Sequence, residues 1–210
     1  MMRKPVVGVM GASENDALTE SAKARLKRLA EDLGAALAKH ECVLITGATT
    51  GLPDLVSRAF RDHGGLALGI SPAENRQEHL TRYGLPDDGA DVIIYTGFGL
   101  KGRNVINVRS ADIVVLFGGA TGTLNEFTIA YDEGKIIGVV EGTGGVANHI
   151  REIIDFCKKP TRGMVVFDKE PEMLIRKCLE ACRPADLKRG RLDLTDESGL
   201  PTLKARDVDW

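Results

Sequence analysis

Residues 112–145 read DIVVLFGGATGTLNEFTIAYDEGKIIGVVEGTGG. An unbroken apolar run, IVVLFGG, ends in glycines. TLNEFTIAYDEGK follows, and a second apolar run, IIGVVEG, ends in glycine again. Strands that are apolar at every position are buried on both faces, which is the condition of parallel strands joined through helices. The stretch therefore reads as strand, glycine turn, helix, strand.

The same alternation extends in both directions. VVGVM (6–10), CVLITG (42–47), LALGIS (66–71), DVIIYTG (91–97) and MVVFD (164–168) read as further strands. ALTESAKARLKRLAEDLGAALAKH (17–40) carries Leu26, Leu29, Leu33 and Leu37 at helical spacing. LPDLVSRAFRDHGG, VANHIREIIDFCKK and PEMLIRKCLEAC read as helices. So does KGRNVINVRSA (101–111), with Val105, Val108 and Ala111 toward one face. Seven strands and six helices in βα order imply a doubly wound, Rossmann-like α/β fold, with a mainly parallel sheet covered by helices on both faces. One domain is expected over 1–182, without internal repeat or second core. PAENRQEHLTRYGLPDDGA (72–90) reads as an unusually long polar loop. The polar, aperiodic stretch 183–210 reads as a tail that either stays unfolded or packs on a neighbouring subunit.

The chain has 210 residues with 43% hydrophobic and 28% charged residues and a net charge of -2. Those are the values of an ordinary globular domain, and they exert no global pull toward nucleic acid or anionic membrane. Aromatics make up 5% and no basic stripe is present, which argues against binding single-stranded nucleic acid. The apolar runs are too short to span a bilayer, and the run after the N-terminus breaks at Gly8 and Gly11, too early for a signal-peptide core. The chain is read as cytoplasmic. Cys42, Cys157, Cys178 and Cys182 form no metal-binding pattern and are read as buried thiols; no metal site is expected.

In an open parallel sheet, ligands bind beyond the carboxyl ends of the strands. Glycines recur there: Gly11, then Gly47 and Gly51, Gly97 and Gly99, Gly118, Gly119 and Gly122, and Gly142, Gly144 and Gly145. Any one such turn serves tight chain reversal equally well. Five on one edge point to a ligand approached by backbone. In GGATGT the missing side chains let backbone N–H groups face an anion, and the following helix adds the positive end of its dipole. Thr121 and Thr123 can add hydroxyls or cap the helix. A phosphate uses more of these donors than a carboxylate does. No Walker lysine follows, and GVMGAS (8–13) lacks the dinucleotide spacing.

Glu126 is expected in the first turn of that helix, where the dipole favours its ionised form. By position alone such a glutamate merely stabilises the helix. If it meets a ligand, the target is a hydroxyl-bearing sugar beside the phosphate, since an anion against a phosphate is unfavourable. Arg103, near the start of the preceding helix, is a candidate clamp for phosphate or carboxylate. Arg109 is a second basic residue on that segment and by default a solvated one.

TGFGLKGRNVINVRSADIVVLFGGATGTLNE (96–126), EGTGG (141–145) and LITGATTGLPDLVSRAFRDHGGLALGISP (44–72) together resemble the LOG-like, or SLOG, superfamily over roughly 5–182. The likeness is closer to a bacterial branch of nucleotide-binding proteins related to molybdenum-cofactor carriers than to the superfamily's hydrolases. The superfamily includes nucleoside monophosphate phosphoribohydrolases, whose pattern has an Arg-Lys pair followed by PGGxGTxxE. On that resemblance Arg103 and Glu126 match the catalytic Arg and Glu. The chain departs from the hydrolases at Gly118 (proline there), Ala120 (glycine), Asn104 (lysine) and Asn125 (glutamate), and in the thinned Thr46-Gly47-Ala48 cluster. The lysine decarboxylase label once attached to this superfamily finds no Schiff-base lysine or pyridoxal-phosphate site.

The expected function is therefore binding of a phosphate-containing small molecule, a nucleotide or a pterin-type cofactor, with no cofactor required. Gly11, Ala12, Ser13, Gly47, Thr49, Gly51, Gly118, Gly119, Thr121, Gly122 and Thr123 are its candidate contacts. The alternative is an N-glycosidase cleaving nucleoside 5′-monophosphates, with Arg103 and Glu126 catalytic and no evident general acid; Glu14, Asp16, Asp87 and Asp88 are loop candidates. A DNA-processing role is third. The resemblance also implies a homodimer or larger homo-oligomer.

Overall fold

A computed structural model of the chain describes residues 3–13 and 19–182. The expected tail 183–210 and the loop candidates Glu14 and Asp16 lie outside the described residues. The elements run β1 (Val6–Gly11), α1 (Glu20–Ala38), β2 (Val43–Thr46), α2 (Leu52–Asp62), β3 (Leu66–Ser71), α3 (Arg76–Thr81) and β4 (Val92–Tyr95). They continue α4 (Gly99–Ser110), β5 (Ile113–Phe117), α5 (Thr121–Asp132), β6 (Ile136–Val140), a 3-10 turn (Gly145–His149), α6 (Ile150–Cys157), β7 (Met164–Asp168) and α7 (Pro171–Ala181).

The seven strands form one parallel sheet in the order β4-β3-β2-β1-β5-β6-β7. From β1 the chain winds outward to β4, then returns through α4 to lay β5 against the other side of β1. The winding direction reverses between β1 and β5, and the crevice above their carboxyl ends is where such sheets bind ligands. Every residue of β5 is buried, which is why its sequence shows no alternation. One core packs α1, α2 and α7 on one face, around Val7, Val9, Leu33, Leu37, Phe60 and Leu174. The other packs α4, α5 and α6 around Met10, Val108, Phe127 and Ile150. Gly34 lets α1 lie close on α2, since a Cβ there would stand 2.6 Å from the Val56 carbonyl oxygen.

Three expectations need correction. The 72–90 segment is not a bare loop, because it contains α3, capped by Asn75, whose side chain accepts from Glu78 N at 2.9 Å. His79 of α3 is fully buried between the Ser71 hydroxyl (2.8 Å) and the Pro86 carbonyl (2.9 Å). The polar composition hid a helix of only six residues. Among the cysteines, Cys42 and Cys178 are buried but Cys157 is exposed, at the end of α6. Burial pushes the Cys42 thiol up to about 11 and the Cys178 thiol to about 12. Finally, α4 turns more than its apolar face inward: beside Val108 and Ala111 it buries polar side chains. Its buried residues are Arg103, Asn104, Asn107 and Val108, while Val105 is half-buried. The helix packs on α5, β1 and β3.

Candidate functional site

The turn after β5 is built by glycine. Gly118 and Gly119 have φ of +64° and +93°, a region that costs any other residue strain. A Cβ on Gly119 would also stand 2.2 Å from Thr123 Oγ1. Thr123 is thus buried beneath the turn, while Thr121 is exposed at the first position of α5. The GTGG segment clasps the turn from the far side. Gly118 N donates to Thr143 Oγ1 (3.0 Å), and Thr143 Oγ1 donates to the Val140 carbonyl (2.7 Å). Val146 N and Ala147 N donate to the Gly119 and Gly118 carbonyls at 2.9 and 3.1 Å. Ala120 precedes α5 with no side-chain cap, so the helix presents its first N–H groups and positive dipole end uncovered by its own capping position. A Cβ at Gly122, Gly142 or Gly144 would meet nothing within 4 Å.

The loops after β1 and β2 close around that turn. Ala12 N donates to the Phe117 carbonyl (3.2 Å) and Leu52 N to the Ala12 carbonyl (2.9 Å). Gly11 and Gly51 are packing glycines here: a Cβ would lie 2.6 Å from Phe117 O at Gly11 and 2.5 Å from Ala12 O at Gly51. Ser13 is exposed and Thr49 half-buried in these loops. Ala48, which stands in the thinned glycine cluster, keeps a glycine-like φ of +50°, a strained conformation of the kind concentrated at functional sites.

Below the loops, Arg103 of α4 and Glu126 of α5 approach to 3.6 Å (Nη1 to Oε1), each only 6% exposed. At that separation they are an ion pair rather than a hydrogen bond. The guanidinium lies against Gly47: a Cβ there would stand 1.9 Å from Nη1. Gly47 therefore seats Arg103, and the face its missing side chain opens is filled by the guanidinium. Glu126 is the sixth residue of α5, not in its first turn as expected. The expected ionising effect of the dipole is outweighed as well. Burial pushes the Glu126 carboxyl up to about 7, against the lowering effects of Arg103, Lys101 and the nearby Asn107 amide. Burial likewise lowers Arg103 below the usual guanidinium range, and its Nε has no hydrogen-bond partner.

Asn104 and Asn125 lie beside the pair. In one amide orientation Asn104 Nδ2 donates to Asn125 Oδ1 at 2.9 Å. In the other, the nitrogen reaches Leu100 O at 3.0 Å and Glu126 Oε1 at 3.3 Å. Sequence reasoning missed Asn107 and Thr143. An asparagine inside a helix carries no motif, whereas Thr143 sits in the GTGG string and was legible as part of a turn only. Arg109 is far from this site in role: it pairs with Glu133 at 2.8 Å. Asp87 and Asp88, considered as general acids, are engaged by Arg76 and Arg58. Among the described residues no cluster of His, Cys, Asp and Glu could hold a metal, and no helix is long and apolar enough to cross a membrane.

The profile of the SLOG cluster4 family matches residues 4–175. An uncharacterised protein of Archaeoglobus fulgidus is 33% identical over 162 residues, covering 74% of this chain and 96% of the relative. The molybdenum cofactor binding protein from Rippkaea orientalis superposes with a TM-score of 0.67 at 28% identity, covering 87% of this chain and 100% of that one. The molybdenum cofactor carrier protein from Chlamydomonas reinhardtii does so with a TM-score of 0.62 at 26% identity, covering 85% and 99%.

Proposed function

The chain belongs to the SLOG cluster4 family, and from that premise we propose that it binds a phosphate-containing small molecule, a nucleotide or a pterin-type cofactor, above the carboxyl ends of β1 and β5. The observation that carries this reading is the uncapped N-terminus of α5, set at the point where the sheet reverses direction and flanked by the open positions of Gly122, Gly142 and Gly144. Backbone N–H groups and the helix dipole suit a phosphate there. The two solved relatives whose names specify molybdenum cofactor support the pterin branch of the proposal. Glu126, lower in the site, then takes a hydroxyl or ring N–H of the ligand.

A second reading rests on the buried Arg103–Glu126 pair: hydrolysis of a nucleoside 5′-monophosphate, with Glu126 stabilising positive charge at the anomeric carbon. The two readings separate in one assay. Purified protein is incubated with AMP and other monophosphates, and free base and heat of binding are measured. Binding without base release supports the carrier. Base release that disappears in Glu126→Gln supports the hydrolase. Neither binding nor release, for monophosphates or a phosphorylated pterin, overturns both.

The glycines give a sharper prediction. Gly122→Val adds a side chain in open space, so the variant is expected to fold and to lose phosphate-ligand affinity at least tenfold. Gly119→Val places a branched side chain at φ +93° against Thr123 and is expected to lose stability by roughly 3 kcal/mol. Melting temperature and calorimetric titration distinguish the two. A Gly122→Val protein that folds and binds normally contradicts the proposed cradle.

The proposed homo-oligomer has a candidate surface. Leu66, Val92 and Ile94 continue the α4 side of the sheet beyond the helix, and Phe98 (69% exposed) and Leu100 lie at the start of α4. Leu100→Glu is expected to shift the protein to monomer by light scattering. An unchanged mass excludes this surface.

A further inference from the structure

Each member of the buried ion pair has an asparagine next to it in the chain. Asn104 follows Arg103 on α4, and Asn125 precedes Glu126 on α5. The two asparagines meet. In one orientation of the Asn104 amide, Nδ2 donates to Asn125 Oδ1 at 2.9 Å. Asn104 Oδ1 then faces two other oxygens, the Leu100 carbonyl and Glu126 Oε1. Oxygen against carboxylate oxygen is repulsive while Glu126 is ionised, and becomes a hydrogen bond once the carboxyl has a proton to donate. Turned over, Asn104 itself donates, to Leu100 O at 3.0 Å and to Glu126 Oε1 at 3.3 Å. Its oxygen then lies 2.9 Å from the end of Asn125, and Asn125 turns as well so that its Nδ2 donates. Asn104 is 4% exposed, so neither of its ends can fall back on water. Asn125 is half-buried.

We propose that Asn104 and Asn125 form a two-amide relay: their orientation follows the proton on Glu126 and carries the state of that buried carboxyl to the outer end of Asn125. With Glu126 protonated, its O–H donates to Asn104 and Asn104 donates to Asn125. The outer end of Asn125 is then its Nδ2, a donor. With Glu126 ionised, the chain reverses. Asn125 donates to Asn104, Asn104 donates to the carboxylate, and the outer end of Asn125 is an acceptor. An amide suits both places because it holds a donor and an acceptor at equal reach and exchanges them by half a turn about χ2. Leucine at 104 would strand the carboxylate, and aspartate would set a second charge beside it. The charged groups acting on Glu126 are Arg103, 3.6 Å away, and Lys101, both of α4. Among the described residues, β1, β5, β6 and the 3-10 turn also pack on α5 and bring no charged group to it. Burial puts the Glu126 carboxyl at about 7, so both directions of the chain are populated near neutral pH.

The test needs no ligand, so a failed relay leaves the ligand-binding reading standing, and the reverse holds too. Side-chain amide signals of Asn104 and Asn125 are followed by NMR from pH 5 to pH 9 in isotopically labelled protein, assigned through Asn104→Leu and Asn125→Ser. Both are expected to shift with the midpoint of the Glu126 carboxyl carbon, and to stop shifting in Glu126→Gln. The field of a nearby carboxylate alone would do the same, so Asn104→Leu decides. There Glu126 still titrates, while the Asn125 signal is expected to lose most of its pH dependence. An Asn125 signal that keeps its full amplitude in Asn104→Leu overturns the relay. Should that variant fail to fold, the parent protein gives the second measurement. Overhauser contacts of the Asn104 NH2 protons are expected to pass from Asn125 to Leu100 as the pH rises through the midpoint. Contacts that stay the same across it overturn the proposal as well.

Discussion

Glu126→Gln is expected to make the protein more stable, and increasingly so as the pH is raised. The reason is linkage. The buried Glu126 carboxyl is pushed from 4.5 up to about 7 in the folded protein, so the folded state holds this proton more tightly than the unfolded one. The stability that the protonated carboxyl confers is fully present below the unfolded value, and it is lost as pH rises through about 7. At pH 8 the folded protein carries a buried carboxylate at a cost on the order of 3 kcal/mol. The attraction to Arg103 is already inside that balance, since it is among the causes that hold the value down. Glutamine keeps the shape without the charge. Urea melts of parent and variant at pH 5, 6, 7 and 8 should show a small difference at pH 5 that widens to pH 8. A difference independent of pH, or a glutamine variant less stable at pH 8, would mean that Glu126 is not held in a desolvated site.

Gly47→Ala carries the second large effect. The φ of Gly47 is open to any residue, so the penalty is purely steric. The new Cβ would lie 1.9 Å from Arg103 Nη1 and 2.5 Å from Cζ. The guanidinium is buried and has to leave its seat, which strands Glu126 without its ion partner. At pH 8, where the carboxyl is ionised, breaking a buried pair in this way costs about 3 kcal/mol. A double-mutant cycle isolates the cause. In an Arg103→Ala background the space beside Gly47 is vacant, and Gly47→Ala should then cost almost nothing. An equal cost in both backgrounds would show that Gly47 is required for the turn itself rather than as a seat for Arg103.

The sheet was legible because burial on both faces writes itself into sequence: the strand Ile113–Phe117 is apolar throughout and stands in the centre. The place of the candidate site in the fold was also legible, since the glycines mark the carboxyl edge and the β1/β5 reversal follows from the winding. The roles of individual glycines were not. Gly11, Gly47 and Gly51 are read from sequence as ligand contacts, yet each is packed against the chain's own atoms, while Gly122, Gly142 and Gly144 face open space. Glycine spacing reports that something comes close, not whether it is ligand or protein. The buried face of α4 was illegible for a related reason. Arg103, Asn104 and Asn107 look like a solvent face by hydropathy, and only the packing of α4 on α5 turns them inward. Glu126 was placed one turn too early because Ala120, which offers no side-chain cap, begins the helix after the double-glycine turn.

The central claim is that the turn between β5 and α5 holds the phosphate of a small-molecule ligand. Native mass spectrometry of the purified protein, with phosphorus NMR of any released ligand, tests it most directly when run in parallel on Gly122→Val. We expect a phosphate-bearing molecule on the parent protein that is lost from the folded Gly122→Val variant. A ligand without phosphate, or one retained equally by Gly122→Val, would contradict it.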